Sequence, residues 1–173
     1  MSGRSQQFRF AVATAVVMSV FVAGVAAATA ITHKGGDVSA VYTATGTADH
    51  GGVTSSTSYI DVPNMKITVH VPSSQKALLV ITFSADTDCL STGGLDEACY
   101  LNALVDGAPA GPQEFHFSAG KTGHASLESV QWVAGPLTSG DHVVDIQYKT
   151  SHVSTYTDFF VYERTLTVLR SKV

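Results

Sequence analysis

The sequence predicts an all-β protein, a two-sheet antiparallel β-sandwich of about eight strands that follows an apolar N-terminal segment. Three observations lead there. Charged residues make up only 14% of the chain while Thr, Ser, Val, Gly and Ala are plentiful, a composition that favours extended structure over helices. Several short stretches alternate apolar and polar residues, the period-two signature of a half-buried strand. Gly, Pro and Ser clusters separate those stretches at short intervals, and no internal repeat is visible.

Residues 1–9 hold Arg4 and Arg9 and no acid, residues 10–27 are apolar or small, and Ala28-Thr29-Ala30 offers the small residues a signal peptidase needs. Residues 1–30 therefore read as a signal peptide cut after Ala30. The alternative is an uncleaved anchor, because only Thr14, Ser19 and Thr29 interrupt a stretch that reaches the roughly 20 residues of a bilayer span. Against it, the second half is Ala, Gly and Thr, which transfer weakly into lipid. Under both readings the arginines stay inside and the body of the chain lies outside, secreted or held at the outer face of the membrane. No twin-arginine pair or lipobox cysteine is present, so general export is expected.

All fourteen acids follow Ala30, against eight of the ten basic residues, which leaves the body at −6. Such a charge argues against a phosphate-backbone partner, and no nucleic acid is expected. Residues 31–58 are poor in large apolar side chains and rich in Gly, so a flexible segment with at most one short strand, residues 38–44, is predicted. The sandwich is then residues 59–173. Met65, Ile67, Val69 and Val71 alternate with Lys66, Thr68 and His70 up to Pro72, which marks a half-buried strand. After a turn at Ser73-Ser74-Gln75, residues 76–85 form an almost unbroken apolar run, the expected central strand, covered on both faces.

Residues 99–106 read as a strand ended by Asp106-Gly107, and the prolines of residues 108–112 predict a turn, since proline lacks the ladder donor. Short strands follow at 114–118 and 127–133, with Gly135-Pro136 and Ser139-Gly140-Asp141 marking the next connection. His142, Val144, Ile146 and Tyr148 alternate with Val143, Asp145, Gln147 and Lys149, one dry face and one wet. The last strand, or bent pair of strands, spans 156–170 with Leu166 and Val168 inward.

The chain has two cysteines, Cys89 and Cys99, and in an exported protein they are most simply a disulfide that clamps a hairpin loop. Asp86, Asp88, Asp96 and Glu97 surround that loop and are candidate calcium ligands, because hard cations take carboxylate oxygens. The plainer reading is a solvated acidic tip, since no EF-hand spacing is present; no other cofactor is expected. The seven histidines show neither H-E-x-x-H nor H-x-H spacing and read as independent edge residues. Ser73-x-x-Lys76 spans a turn rather than a helix face, so it does not read as a nucleophile–base pair. Glu114, Glu128 and Glu163 could supply a glycosidase pair only if folding brought two of them together. Exposed rings are the better lead, with Tyr156, Phe159, Phe160 and Tyr162 the candidate ligand-contact aromatics. Consecutive Phe159 and Phe160 put one ring on each sheet face, while Trp132 and Tyr148 read as core.

Residues 77–85, the run Leu137-Thr138-Ser139-Gly140-Asp141-His142-Val143-Val144-Asp145-Ile146-Gln147 and the closing Arg164-Thr165-Leu166-Thr167-Val168 follow one another in an order that resembles jelly-roll domains of broad C1q and tumour-necrosis-factor-like architecture. The chain also looks like small exported actinobacterial β-sandwich proteins. That resemblance implies a jelly-roll-like fold, self-association into trimers and no catalytic residues. The expected function is an exported, non-catalytic binding module contacting an extracellular or cell-surface component through loops 87–98, 106–114 and 149–155. The alternatives are a homo-oligomeric structural protein packed through an apolar sheet face and a polysaccharide hydrolase.

Overall fold

The computed structural model describes residues 37–47, 52–91, 98–118, 125–151 and 157–173. The signal segment and its Ala30 site lie outside them. Nine strands are described: β1 (Val38–Gly46), β2 (Gly52–Thr54), β3 (Ile60–Val71), β4 (Ala77–Ser91), β5 (Ala98–Val105), β6 (Ala108–Ser118), β7 (Ser126–Leu137), β8 (Gly140–Thr150) and β9 (Thr157–Lys172). No helix among the described residues is long and apolar enough to cross a membrane.

All pairings are antiparallel. The first sheet runs β1-β9-β4-β7, with β2 in line with β1 along the same edge of β9, and the second runs β6-β5-β8-β3. A single pair, Gly111 with Val133, joins β6 to β7. The nested partners β3–β8, β4–β7 and β5–β6 are those of a hairpin rolled over on itself, so the sandwich is jelly-roll-like as predicted.

The sandwich begins earlier than residue 59. Residues 38–54 supply two strands instead of at most one, because their apolar side chains are small but the unpaired edge of β9 needs partners over its whole length. β4 is central to its sheet, yet only one of its faces is covered, since buried and half-buried positions alternate strictly along it. The turn expected at 108–112 is also corrected: β6 starts at Ala108, directly after a two-residue Asp106-Gly107 turn in which both residues have positive φ, the form an Asp-Gly hairpin prefers. Pro109 and Pro112 are tolerated because β6 is paired along its length only with β5 and meets β7 at the single pair Gly111 with Val133. Gly135-Pro136 likewise lies inside β7. Gly135 has φ +125°, and a Cβ there would sit 2.7 Å from the Ala77 carbonyl oxygen, so only glycine fits.

The inner faces interdigitate around Leu79, Ile81, Phe83, Trp132, Val144, Ile146, Tyr148, Leu166 and Val168. Trp132 is fully buried with Phe115 edge-on at 5.2 Å, and Tyr148 packs on Phe159 at 5.9 Å. Cys89 and Cys99 are bonded, with Cα atoms 6.0 Å apart. The bond does not clamp a hairpin: β4 belongs to the first sheet and β5 to the second, so it rivets the two layers together at one end of the core.

Candidate functional site

The two outer faces of the sandwich distribute charge differently: on the first sheet Asp86, Asp88, Asp158, Glu163 and Lys172 lie toward the ends and leave the middle rows uncharged. On the second sheet, Asp61, Lys66, His70, Glu114, Asp141, Asp145 and Lys149 all point outward or to the rim and largely neutralise one another. Lys66 Nζ lies 3.1 Å from Asp61 and 2.9 Å from Asp145. The Asp61 carboxyl is held below its usual range by hydrogen bonds from Gln147 and Lys66. Burial outweighs Lys66 at Asp145 and pushes that carboxyl up. The Tyr59 hydroxyl donates to Glu114 at 2.6 Å, which lowers the Glu114 carboxyl, and Lys149 Nζ lies over the rings of both Tyr59 and Tyr100 at 4.3 and 4.7 Å. Tyr100 in turn packs against His116. Most of these groups are paired, while the buried Asp145 Oδ1 has no hydrogen-bond partner among the described residues.

On the first sheet the register assembles something different. Reading across β1, β9, β4 and β7, one row is Val41, Leu169, Val80 and Val133; the next is Thr43, Thr167, Thr82 and Gln131; the third is Thr45, Thr165, Ser84 and Ser129. None of these residues is charged. Two hydroxyl-rich rows thus lie beside one apolar row, with spacings set by the sheet at about 4.8 Å across strands and about 6.7 Å along them. Ser84 and Ser129 hydroxyls meet at 2.9 Å, and the Gln131 amide donates to Thr82 at 3.2 Å, so the rows are cross-linked within themselves.

Beyond the third row, β9 bulges where Ala85 pairs with Arg164 but Thr87 pairs with Val161. The bulge opens a groove of about 350 Å³ lined by Thr45, Gly46, Thr47, Ser84, Leu127, Glu163, Arg164 and Thr165. Arg164 turns inward there and donates to the carbonyls of Pro63, Val161 and Tyr162. Its guanidinium fills the space a Cβ would take at Gly46. Leu127, at 81% exposure, stands on the groove's far wall. Past the groove Phe160 and Tyr162 stack with ring centroids 5.8 Å apart and planes 9° from parallel. Asp88 pairs across from Phe160; burial first, then Asp88 and Asp86, raise the Tyr162 phenol.

The residues predicted from sequence divide accordingly. Phe160 and Tyr162 are on the outer face, whereas Phe159 is fully buried on Tyr148 and is a core ring, not a contact ring. Tyr156 lies outside the described residues. Of the four calcium candidates, Asp86 and Asp88 share the outer face of β4, and Asp96 and Glu97 lie outside the described residues. Among the described residues no three His, Cys, Asp or Glu side chains come together as a metal site. Glu114 is on the second sheet, Glu128 and Glu163 on the first. The hydroxyl rows escaped the sequence reading. Their trace, Thr43-x-Thr45, Thr82-x-Ser84 and Thr165-x-Thr167, becomes a surface only once the strands are paired in register.

No family model matches the chain, and no curated protein does. Among solved structures it is similar to a family 35 carbohydrate binding module from Clostridium thermocellum, 12% identical with a TM-score of 0.35, covering 72% of this chain and 97% of that one. It is also similar to dimeric latent PorU from Porphyromonas gingivalis (14% identity, TM-score 0.36, 81% of this chain and 14% of that one). A third is a family two carbohydrate esterase from Cellvibrio japonicus (14% identity, TM-score 0.29, 78% and 35%).

Proposed function

We propose that this chain is an exported, non-catalytic binding module whose ligand, a neutral glycan chain, lies on the outer face of the first sheet. The observation that carries this reading is the uncharged three-row array on β1, β9, β4 and β7, set opposite a face crowded with charge. Sugars present hydroxyls at their rims and apolar C–H faces, which match rows of Thr and Ser beside a valine row and a stacked ring pair. The groove beside Leu127 supplies an end stop. Export rests on the apolar N-terminal segment and on the disulfide, which belongs to oxidising compartments.

A panel of neutral and anionic glycans, read by titration calorimetry, tests the proposal. A neutral polymer should bind with an affinity that barely changes between low and high salt, because no counterions are released. Thr82→Lys and Thr167→Lys, which place a cation in the hydroxyl rows, should each weaken binding at least about tenfold while the melting temperature holds. Binding only to anionic glycans would overturn the reading.

A second reading, assembly of copies of the chain, is favoured by Val38, Val41 and Val53, each more than half exposed on the edge strands β1 and β2. Light scattering at high concentration that returns only monomer removes it.

A further inference from the structure

We propose that His142, as an imidazolium, is a pH-sensitive latch that ties the β5–β6 turn to the β7–β8 turn at the end of the sandwich opposite the disulfide. Its Nδ1 lies 2.6 Å from Asp106 Oδ2 and its Nε2 lies 2.8 Å from the Thr138 carbonyl oxygen. Both partners are acceptors. A neutral imidazole has one N–H and can satisfy one of them, whereas the doubly protonated ring donates to both. The other Asp106 oxygen accepts the Val143 amide at 2.8 Å, so the carboxylate receives a hydrogen bond on each oxygen, which favours its ionised form, and the Asp106 amide donates to the Val143 carbonyl at 2.9 Å. The His142 side chain is 12% exposed and Asp106 49%, so the ring is held against the fold while solvent reaches the pair from the carboxylate side.

The groups around the ring agree with a cation. From the β5–β6 turn the charge is Asp106; on β8 itself it is Asp141; from β3, His70 holds Asp141 at 2.6 Å. From β9 in the opposite sheet, Arg170 donates to the His70 carbonyl, and the β7–β8 turn presents the Thr138 carbonyl. Burial lowers the imidazole, but the hydrogen bonds to Asp106 and the Thr138 carbonyl, with the charges of Asp106 and Asp141, together raise it above its ordinary value of 6.5, and His142 in return lowers Asp106. A raised histidine contributes stability that is complete below pH 6.5 and is lost as pH rises through the folded-state value. The lowered Asp106 adds its part above its ordinary value of 3.8 and loses it as pH falls. The latch therefore holds fully between those limits and releases on the alkaline side first.

The cysteine bond and this latch close opposite ends of the same core, one covalently and one by a proton. Release should be local. NMR titration of the His142 ring, together with amide exchange from about pH 5.5 to about pH 8.5, reads it in the protein without substitution. The expected result is a ring that titrates above 6.5, with Val143 protection, corrected for intrinsic exchange, falling about tenfold for each unit of that elevation. The amides of Thr150 and Ser151, at the disulfide end, should keep theirs. Asp106→Asn should return the ring toward 6.5. A ring that titrates at or below 6.5 overturns the proposal, and so does a loss of protection shared equally by both ends.

Discussion

At the scale of single residues, backbone conformation and burial decide the consequences of substitution. Gly135→Ala places a methyl group against the Ala77 carbonyl at a φ that L residues avoid, so it should cost about 1–3 kcal/mol and lower the melting temperature by several degrees, checked by calorimetry. Trp132 is the chain's one tryptophan and is fully buried. Its emission should be blue-shifted, resist soluble quenchers and stay unchanged when a ligand covers the outer face; a quenchable Trp132 would contradict the packing described. Asp61, Asp106 and Glu114 are all lowered carboxyls. Each adds stability above its ordinary value near 4 and loses it as pH falls through the folded-state value, so acid melts should show a steep loss below about pH 4.

At the scale of elements, two tethers hold strands that the core alone would leave loose. The Cys89–Cys99 bond closes a short loop across the layers, and the chain-entropy model assigns it about 2.5–3 kcal/mol. Reduction should therefore lower the melting temperature without abolishing the fold, since the aliphatic core remains. Arg164 ties β3 to the bulge of β9 through carbonyl oxygens; Arg164→Met, similar in length, should cost at least about 1.5–3 kcal/mol in denaturant melts by stranding those acceptors. The strands themselves were legible where side chains alternate, as in β3, β8 and the second half of β9. They were illegible where pairing, not side-chain pattern, makes the strand. β2 exists because β9 offers an edge, and β6 carries two prolines because its side away from β5 is paired at one position only.

At the scale of the molecule, the two outer faces are the feature that sequence hides. Composition announces few charges but not where they go, because period-two alternation fixes which residues share a strand face and only register fixes which strands share a row. Phe160 and Tyr162 were legible as candidate contact rings, and alternation put Phe159 and Phe160 on opposite faces. The hydroxyl rows, drawn from residues 43–45, 82–84, 129–131 and 165–167, were not. The pairing of β1 with β9 also has a mechanical consequence. Val38 lies opposite Ser171, so the chain enters and leaves the sandwich side by side at one end of one antiparallel ladder. Tension applied between these two points loads the ladder bonds one at a time, like a zipper, rather than all together in shear. A single-molecule trace should show β1 peeling away at low force before the core gives, whereas pulling from Val38 against a handle at the disulfide end would load the same ladder lengthwise and meet far greater resistance.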